Sequence, residues 1–288
     1  MSLTDPEFIQ RLEGLALLAK KVLGGKLQAN RRTRRKGTGV SFADYAPYFP
    51  GDDHRAVDWR VYARTEQLVI KLFELEEDMT LVLLLDRSAS MEAKLPYAKE
   101  LAAALGYLAL AGFDRVAVYG IGERLTPVLE ATHGKAKVVP LLAALDGVEA
   151  IDRGSDFNGA CAALAARHRR RLMVVPVSDF FFPGGCERGL SLLRHGGHEV
   201  FCAQVQSPGD RAVDHRGDAE LVCVETGRAK KVTVGPAEAA AYAAAVTRLN
   251  DELETACRRK GIGHLSVLDT VPFDDVVQRV LRRGGLVG

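Results

Sequence analysis

Continuous runs of apolar residues recur from residue 80 onward, and amphipathic segments lie between them. Such runs are typical of strands that are buried on both faces of a parallel sheet. The predicted strands are Leu81–Leu85, Arg115–Ile121, Leu125–Leu129, Leu172–Val177, Glu199–Val205 and His264–Leu268. The predicted helices are Lys94–Ala111, Ala136–Leu145, Asp156–His168, Glu187–Arg194, Ala237–Arg259 and Phe273–Arg283. This alternation predicts an α/β fold, a mostly parallel sheet sandwiched by helices.

Two segments do not follow this alternation of strands and helices. Leu221–Val234 has the pattern of a β-hairpin that turns around Thr226 and Gly227, and we predict that it is an insertion. The N-terminal part begins with an amphipathic helix after a capping sequence at Thr4–Glu7, and it ends in an alternating strand at Leu68–Glu76. We therefore predict an N-terminal extension, residues 1–78, packed on a core domain, residues 79–288.

Composition narrows the classes of protein that fit. The 288 residues are 47% apolar, and 39 basic against 37 acidic side chains leave a net charge of +2, which does not indicate a binder of bulk polyanions. Five cysteines without CxxC spacing argue against a disulfide framework and against a cysteine zinc site. The N-terminus lacks a signal-peptide pattern, and the longest apolar window, Leu101–Phe113, is shorter than the roughly 18 residues of a membrane span. We expect a soluble, cytoplasmic protein.

Two polar segments precede the predicted sheet. The basic run Arg31–Lys36 is interpreted first as a solvated loop, with binding to nucleic acid or to an acidic partner as the alternative. The segment of residues 42–64 interleaves acids, arginines and aromatics, and such sets are either catalytic or structural networks of ion pairs and turn caps. We favour the structural interpretation, with the single tryptophan as an anchor to a core. The network comprises Asp52, Asp53, Arg55, Asp58, Trp59 and Arg64.

Three polar clusters stand where predicted strands end or helices begin. Asp86, Ser88 and Ser90 follow Leu81–Leu85, and the acid of "VSDF" closes a later strand. Ligands bind open parallel sheets beyond the carboxyl ends of the strands, so we expect these clusters to converge. The other members of the clusters are Ser155 and Asp156 in "RGSDFNG", and Asp179 in "VSDF".

Several chemistries could use polar side chains at this edge of the sheet. An aspartyl phosphatase needs a second acid at the position of Ser88, and no nucleophile elbow or phosphate-binding loop is present. Carboxylate and hydroxyl oxygens suit a hard cation, Mg²⁺ first, with Mn²⁺ or Ca²⁺ as alternatives. Spacing alone leaves open the alternative that Asp86 caps the next helix and that Ser88 and Ser90 satisfy backbone donors without a metal.

"DRSAS" after an apolar strand, within an alternating α/β body and with "SD" closing a later strand, resembles the von Willebrand factor A domain and its metal-ion-dependent adhesion site. The resemblance implies that Asp86, Ser88 and Ser90 form the first loop of ligands. It also implies that Ser155 stands at the position usually held by threonine and that Asp179 is the last acid. Asp156 is then a residue behind the ligands or a helix cap.

The upstream segment "FADYAPYFPGDDHRAVDWRVYAR", followed by "LVIKLFELEED" and "LLLDRSASM", is similar to the domain-of-unknown-function 58 family over most of the chain. This resemblance implies a bacterial cytoplasmic protein that works beside a MoxR-type AAA+ ATPase in the assembly or maturation of client complexes. The leading hypothesis is therefore a non-enzymatic adaptor whose Mg²⁺ site grips an acidic residue of the ATPase or of a client. Arg87 would add positive potential for that acid.

Two other functions stay open at this point. A metal-dependent phosphoester hydrolase would use Asp86 as nucleophile or ligand, and only Asp156 or Asp179 could then act as acid or base. A nucleic-acid binder would act through the run Arg31–Lys36.

Overall fold

The computed structural model describes residues 2–23, 32–36, 41–50, 52–76, 79–112, 114–150, 154–213, 215–224 and 227–283. The chain divides into two compact units. Met1–Ala19 groups with Met79–Leu286, and Lys20–Asp78 forms the other unit. The helix α1 (Pro6–Leu23), which was predicted from its apolar spacing, therefore begins in the larger unit, although the predicted extension ran from residue 1 to residue 78.

The smaller unit contains a three-stranded antiparallel sheet among its described residues, in the order β1–β3–β2. Its elements are β1 (Arg32–Lys36), β2 (Ser41–Pro47), α2 (Trp59–Thr65) and β3 (Val69–Glu76). The interpretation of the basic run as a loop is wrong for residues 32–36, because they pair with β3. The register sets Arg32 opposite Glu76 and Arg34 opposite Glu74. Arg31 lies outside the described residues.

The larger unit carries the sheet predicted from the apolar runs. Its described strands form a six-stranded sheet in the order β11–β8–β7–β4–β5–β6, in which only β6 is antiparallel to its neighbour. The elements are β4 (Thr80–Asp86), α3 (Leu95–Ala111), β5 (Arg115–Ile121), β6 (Leu125–His133), α4 (Val138–Asp146), α5 (Phe157–Arg167), β7 (Leu172–Ser178), α6 (Glu187–His195), β8 (Glu199–Gln206), α7 (Pro208–Arg211), β9 (Gly217–Val222), β10 (Ala229–Val234), α8 (Pro236–Arg259), β11 (Gly263–Leu268) and α9 (Phe273–Arg283). This architecture confirms the α/β prediction.

Helices cover both faces of this sheet. Successive side chains of a strand point to opposite faces, so the residues of β4 contact helices on each side. Val82 and Leu84 of β4 belong to the apolar cluster that includes Phe157 of α5 and Leu190 of α6. On the other face, a Cβ added to Gly106 of α3 would lie 3.4 Å from Leu83 and 2.7 Å from Leu141 of α4. The continuous apolar run of β4 is thus buried from both sides.

The β9–β10 hairpin confirms the predicted insertion. The two strands pair with each other from Gly217↔Val234 to Val222↔Ala229, and in the described part of the chain they form a separate two-stranded sheet. Thr226 lies outside the described residues. None of the described helices is both long enough and apolar enough to cross a bilayer.

Candidate metal centre

The switch point of the sheet lies at β4. From this strand the chain runs to β5 on one side, and it later returns to β7 on the other side. A crevice forms beyond the carboxyl ends of strands at such a point, and ligands bind there in open α/β sheets. The parallel register aligns Leu85 with Val177, so Asp86 of β4 and Ser178 of β7 emerge side by side.

Asp86 is a buried carboxylate with 1% of its surface exposed. Its Oδ1 accepts a hydrogen bond from the Ser88 amide at 2.9 Å, and its Oδ2 accepts one from the Ser178 hydroxyl at 2.5 Å. Burial raises the pKa of Asp86 to about 6, although these hydrogen bonds oppose the rise. The carboxylate is therefore a buried anion whose charge is only partly compensated by protein donors.

Two hydroxyls accompany this carboxylate. Ser88 is buried and Ser90 half-buried, and their Oγ atoms lie 3.1 Å apart. Ser88 has an extended backbone and begins the short 3₁₀ turn Ala89–Met91, which the fully buried Met91 side chain anchors. This contact is a hydrogen bond between the two hydroxyls. Two ligands at adjacent corners of an octahedron with bonds of about 2.1 Å are about 3.0 Å apart, so a shared Mg²⁺ ion would replace this hydrogen bond with little movement of the two oxygens.

The loop after β7 is tightly constrained. Phe180 has a φ of 62°, which is unusual for a residue other than glycine and costs about 1–3 kcal/mol. Its amide donates to the Ser178 hydroxyl at 2.9 Å, and the Phe181 amide donates to Asp179 Oδ1 at 3.0 Å. The ring of Phe180 packs at 6.0 Å from that of Phe157, which ties the loop to the start of α5. The turn fixes the direction of the Asp179 carboxylate.

Asp179 is engaged by a buried lysine. Lys94, at the N-terminus of α3, places Nζ 2.7 Å from Asp179 Oδ2 and 3.0 Å from Asp210 Oδ2, with 3% of its side chain exposed. Burial alone would lower the pKa of Lys94, but the attraction of Asp179 and the hydrogen bonds to both acids outweigh it and raise the pKa. Lys94 is accordingly an ammonium held by two carboxylates.

The third predicted loop lies at the start of α5. Asp156 caps this helix, because its Oδ1 accepts from the Gly159 amide at 2.8 Å, and its own amide donates to the Gly122 carbonyl at 2.9 Å. The cap was one of the two roles considered for Asp156. Ser155 is half-buried, and within the described chain no hydrogen bond joins it to Asp86, Ser88 or Ser90.

Arg87 extends along the neighbouring strands. Its guanidinium donates to Thr126 Oγ1 at 3.1 Å and to the Glu149 carbonyl at 3.1 Å. A Cβ on Gly120 would collide with the Arg87 side chain, so a glycine at this position of β5 makes room for it. The expected contribution of Arg87 to the potential near Asp86 stays a prediction.

The donor set fits a hard cation. No group of three or more His, Cys, Asp or Glu side chains in the described chain is arranged to hold a metal ion, so a site here depends on hydroxyl oxygens. Asp86, Ser88 and Ser90 would supply oxygen ligands with one negative charge, and retained waters would complete the octahedron that Mg²⁺ prefers. The spacing of the hydroxyls and the under-compensated charge of Asp86 both agree with this chemistry.

Sequence reasoning missed three residues of this edge. Ser178 directly precedes Asp179, and its position at a strand end could have indicated a role. Lys94 was included only as the start of a predicted helix, and its burial was not apparent from its neighbours. Asp210 follows β8, and its side chain accepts from the Ser207 amide at 2.7 Å in a capping box.

Three of the upstream acids act as turn and helix caps. Asp52 accepts from the Phe49 amide, Asp53 from the Arg55 amide, and Asp58 from the Arg60 amide, each at 2.9–3.0 Å. Asp58 also accepts from Tyr45 and pairs with Lys71 at 3.1 Å. Asp58 thus forms its ion pair with a lysine of β3 and not with one of the described arginines of the segment.

Trp59 was expected to anchor the segment to a core, and this expectation is wrong. Trp59 is 60% exposed at the first position of α2 and meets Tyr62 edge-on at 6.1 Å between ring centroids. The residue type alone cannot decide which side of a two-turn helix faces outward.

Replacing Ser178 by alanine is expected to destabilise the protein by about 1–3 kcal/mol. The change leaves the Phe180 amide without its acceptor and Oδ2 of Asp86 without its donor, both in a buried setting. Urea unfolding measures the loss, and Ser191→Ala, which removes an exposed hydroxyl from α6, is the matched control. Equal stabilities of the two variants would contradict the assigned role of Ser178.

Several known proteins can be aligned with this chain. The uncharacterized proteins Rv1480 of Mycobacterium tuberculosis and Mb1516 of Mycobacterium bovis are 29% identical to this chain over 99% of its length and 93% of theirs. BatB from Bacteroides thetaiotaomicron aligns with a TM-score of 0.46 at 13% identity, over 71% of this chain and 98% of that chain. The pilus adhesin SpaC from Lactobacillus rhamnosus GG aligns with a TM-score of 0.46 at 10% identity, over 73% of this chain and 30% of that chain. The family model described as "Protein of unknown function DUF58" matches residues 44–252, most of the sequence, and the chain belongs to this family.

Proposed function

We propose that this protein is a non-enzymatic adaptor that binds an acidic residue of a partner through a divalent cation, Mg²⁺ above all. The observation that carries the proposal is the cluster at the switch point of the sheet: a buried, under-compensated Asp86 beside two hydroxyls 3.1 Å apart. Asp86, Ser88 and Ser90 would hold the cation, which would offer an open coordination position to a carboxylate. Ser155 would add a hydroxyl from the neighbouring loop.

The residues around the cluster support the binding of a partner protein rather than the hydrolysis of a phosphoester. A hydrolase needs a group within hydrogen-bond reach that can take a proton from water and another that can protonate the leaving group. Asp156 is occupied as the cap of α5, and Asp179 is paired with Lys94. No histidine of the described chain is hydrogen-bonded to Asp86 or to either serine. The residues present can orient a ligand but offer no free base.

The chemistry of the site selects the partner. With one carboxylate among its protein ligands, a bound divalent cation keeps a net positive charge and attracts an exposed aspartate or glutamate. The resemblance noted in the sequence suggests that this acid belongs to a MoxR-type AAA+ ATPase or to a client that the ATPase helps to assemble. Coordination to the metal would fix the position of the partner's carboxylate on this protein.

Partner capture is expected to require both the metal and Asp86. The tagged protein is used to pull partners from its source cell in the presence of excess Mg²⁺ or of EDTA, and mass spectrometry identifies the proteins that are retained. We expect an AAA+ ATPase in the Mg²⁺ sample and its loss with EDTA or with Asp86→Ala.

The control variant is Asp251→Ala, which removes an exposed carboxylate of α8. It should capture the same proteins as the wild type, in the same metal-dependent way. Capture of the ATPase that survives both EDTA and Asp86→Ala would overturn the metal-mediated proposal.

A further inference from the structure

The buried lysine at the edge of the sheet stands between two carboxylates. Lys94 Nζ contacts Asp179 Oδ2 at 2.7 Å and Asp210 Oδ2 at 3.0 Å, and the exposed fractions of the three side chains are 3%, 2% and 22%. Asp179 is the acid that the resemblance assigned to the metal. In the structure its negative charge already has a cation of the protein's own.

Every oxygen of this carboxylate has a donor. Asp179 Oδ1 accepts from the Phe181 amide at 3.0 Å, and Oδ2 accepts from Lys94. A buried ion pair of this kind is costly to separate, because each partner would be left as an uncompensated charge away from water. A metal bound to Asp179 would have to share this carboxylate with the Lys94 ammonium, and the repulsion between the two cations disfavours such binding unless Lys94 moves.

Lys94 is held in place from several sides. Asp210 is fixed by its hydrogen bond from the Ser207 amide at 2.7 Å, and its carbonyl accepts from the Tyr242 hydroxyl at 3.0 Å. Gln204 donates to the Asp179 carbonyl at 3.1 Å and to Asn250 of α8 at 2.9 Å. The loops after β7 and β8 are thereby joined to α8, and the position of the ammonium is set by the fold.

We propose that Lys94 keeps Asp179 out of direct contact with the metal and so leaves Asp86 as the single carboxylate ligand from this chain. The inference rests on the proposed metal site and adds to it a residue that sets its charge. A cation held by one carboxylate and neutral hydroxyls binds weakly alone and gains most from the acid of a partner. Lys94 thus makes stable occupancy of the site depend on that partner.

The test is a titration with Mn²⁺ alone, in which electron paramagnetic resonance measures the free ion and hence the affinity. The proteins are the wild type, Asp86→Asn, Asp179→Asn, Lys94→Met, the double variant of Lys94 and Asp179, and Lys99→Met. We expect Asp179→Asn to change the affinity less than about threefold, because the residue is not a ligand while Lys94 is present. Lys94→Met should tighten binding at least about tenfold by freeing the carboxylate, and adding Asp179→Asn should reverse that gain.

Lys99→Met is the matched control, since Lys99 lies on the same helix and donates to the Asp146 carbonyl at 2.8 Å. Its affinity should equal that of the wild type. If Lys94→Met does not fold, the affinity of Asp179→Asn still tests whether Asp179 is a ligand. That variant should fold, because Lys94 keeps Asp210 as its ion-pair partner.

Two results would overturn the inference, and they differ in what else they reject. Loss of Mn²⁺ binding in Asp179→Asn, as large as that in Asp86→Asn, would show Asp179 to be a ligand and would leave the proposed function standing. Absence of binding in the wild type and in every variant would reject the inference together with the metal site. Binding that appears only in Lys94→Met would support the masking of Asp179.

Discussion

Replacing Asp86 by asparagine is expected to abolish the binding of divalent cations while the fold is retained. The amide has the shape of the carboxylate and can still accept from the Ser88 amide, but it removes the one negative charge of the donor set. Mutation of a residue that hydrogen-bonds to a metal ligand typically lowers metal affinity about 10–100-fold. Removal of the charged ligand itself should lower the affinity by more than this. Titration with Mn²⁺, together with thermal unfolding of the metal-free protein, measures both effects.

Asp251→Asn serves as the control for charge alone, because Asp251 is exposed on α8. Its affinity for Mn²⁺ should match that of the wild type. Wild-type affinity in Asp86→Asn would place any metal elsewhere in the molecule and would contradict the assignment of this loop.

Phe157→Ala should cause the largest loss of stability among the changes considered near the site. Phe157 is 1% exposed, and its ring lies 5.0 Å from that of Phe182 and 6.0 Å from that of Phe180. Truncation of a buried aromatic side chain costs about 3–5 kcal/mol, because transfer free energy is lost and a cavity remains. Urea unfolding of the purified protein gives the change in the free energy of unfolding.

Phe49→Ala is the comparison for that experiment, since Phe49 is 62% exposed. Its free energy of unfolding should stay within about 0.5 kcal/mol of the wild type. Similar losses in the two variants would contradict the view that Phe157 is the packing centre that joins α5 to the loop after β7.

The fold and the first loop of the site were predictable for a shared reason. The apolar run Leu81–Leu85 can only be buried from both sides, and a polar residue that ends such a strand must emerge at the carboxyl edge of a parallel sheet. Asp86 and Asp179 follow from that rule, and the parallel register of β4 and β7 bears out their common edge.

Other features depend on contacts that no local pattern encodes. Lys94 pairs with acids 85 and 116 positions away in the sequence, so its burial follows from the packing of three loops. Four of the five residues of the strand Arg32–Lys36 are basic and do not form an apolar pattern, and pairing with β3 decides its conformation. Trp59 shows the reverse case, in which an apolar residue type predicted burial and the orientation of a short helix left it exposed.

A crystal structure of the protein grown with Mn²⁺ tests the central claim most directly, because anomalous scattering locates the ion among its ligands. We predict a peak within bonding distance of the Asp86 carboxylate and the Ser88 and Ser90 hydroxyls, with Lys94 still paired to Asp179. A map without a peak at these three side chains would contradict the account. So would an ion held by Asp179 and Asp210 with Lys94 displaced.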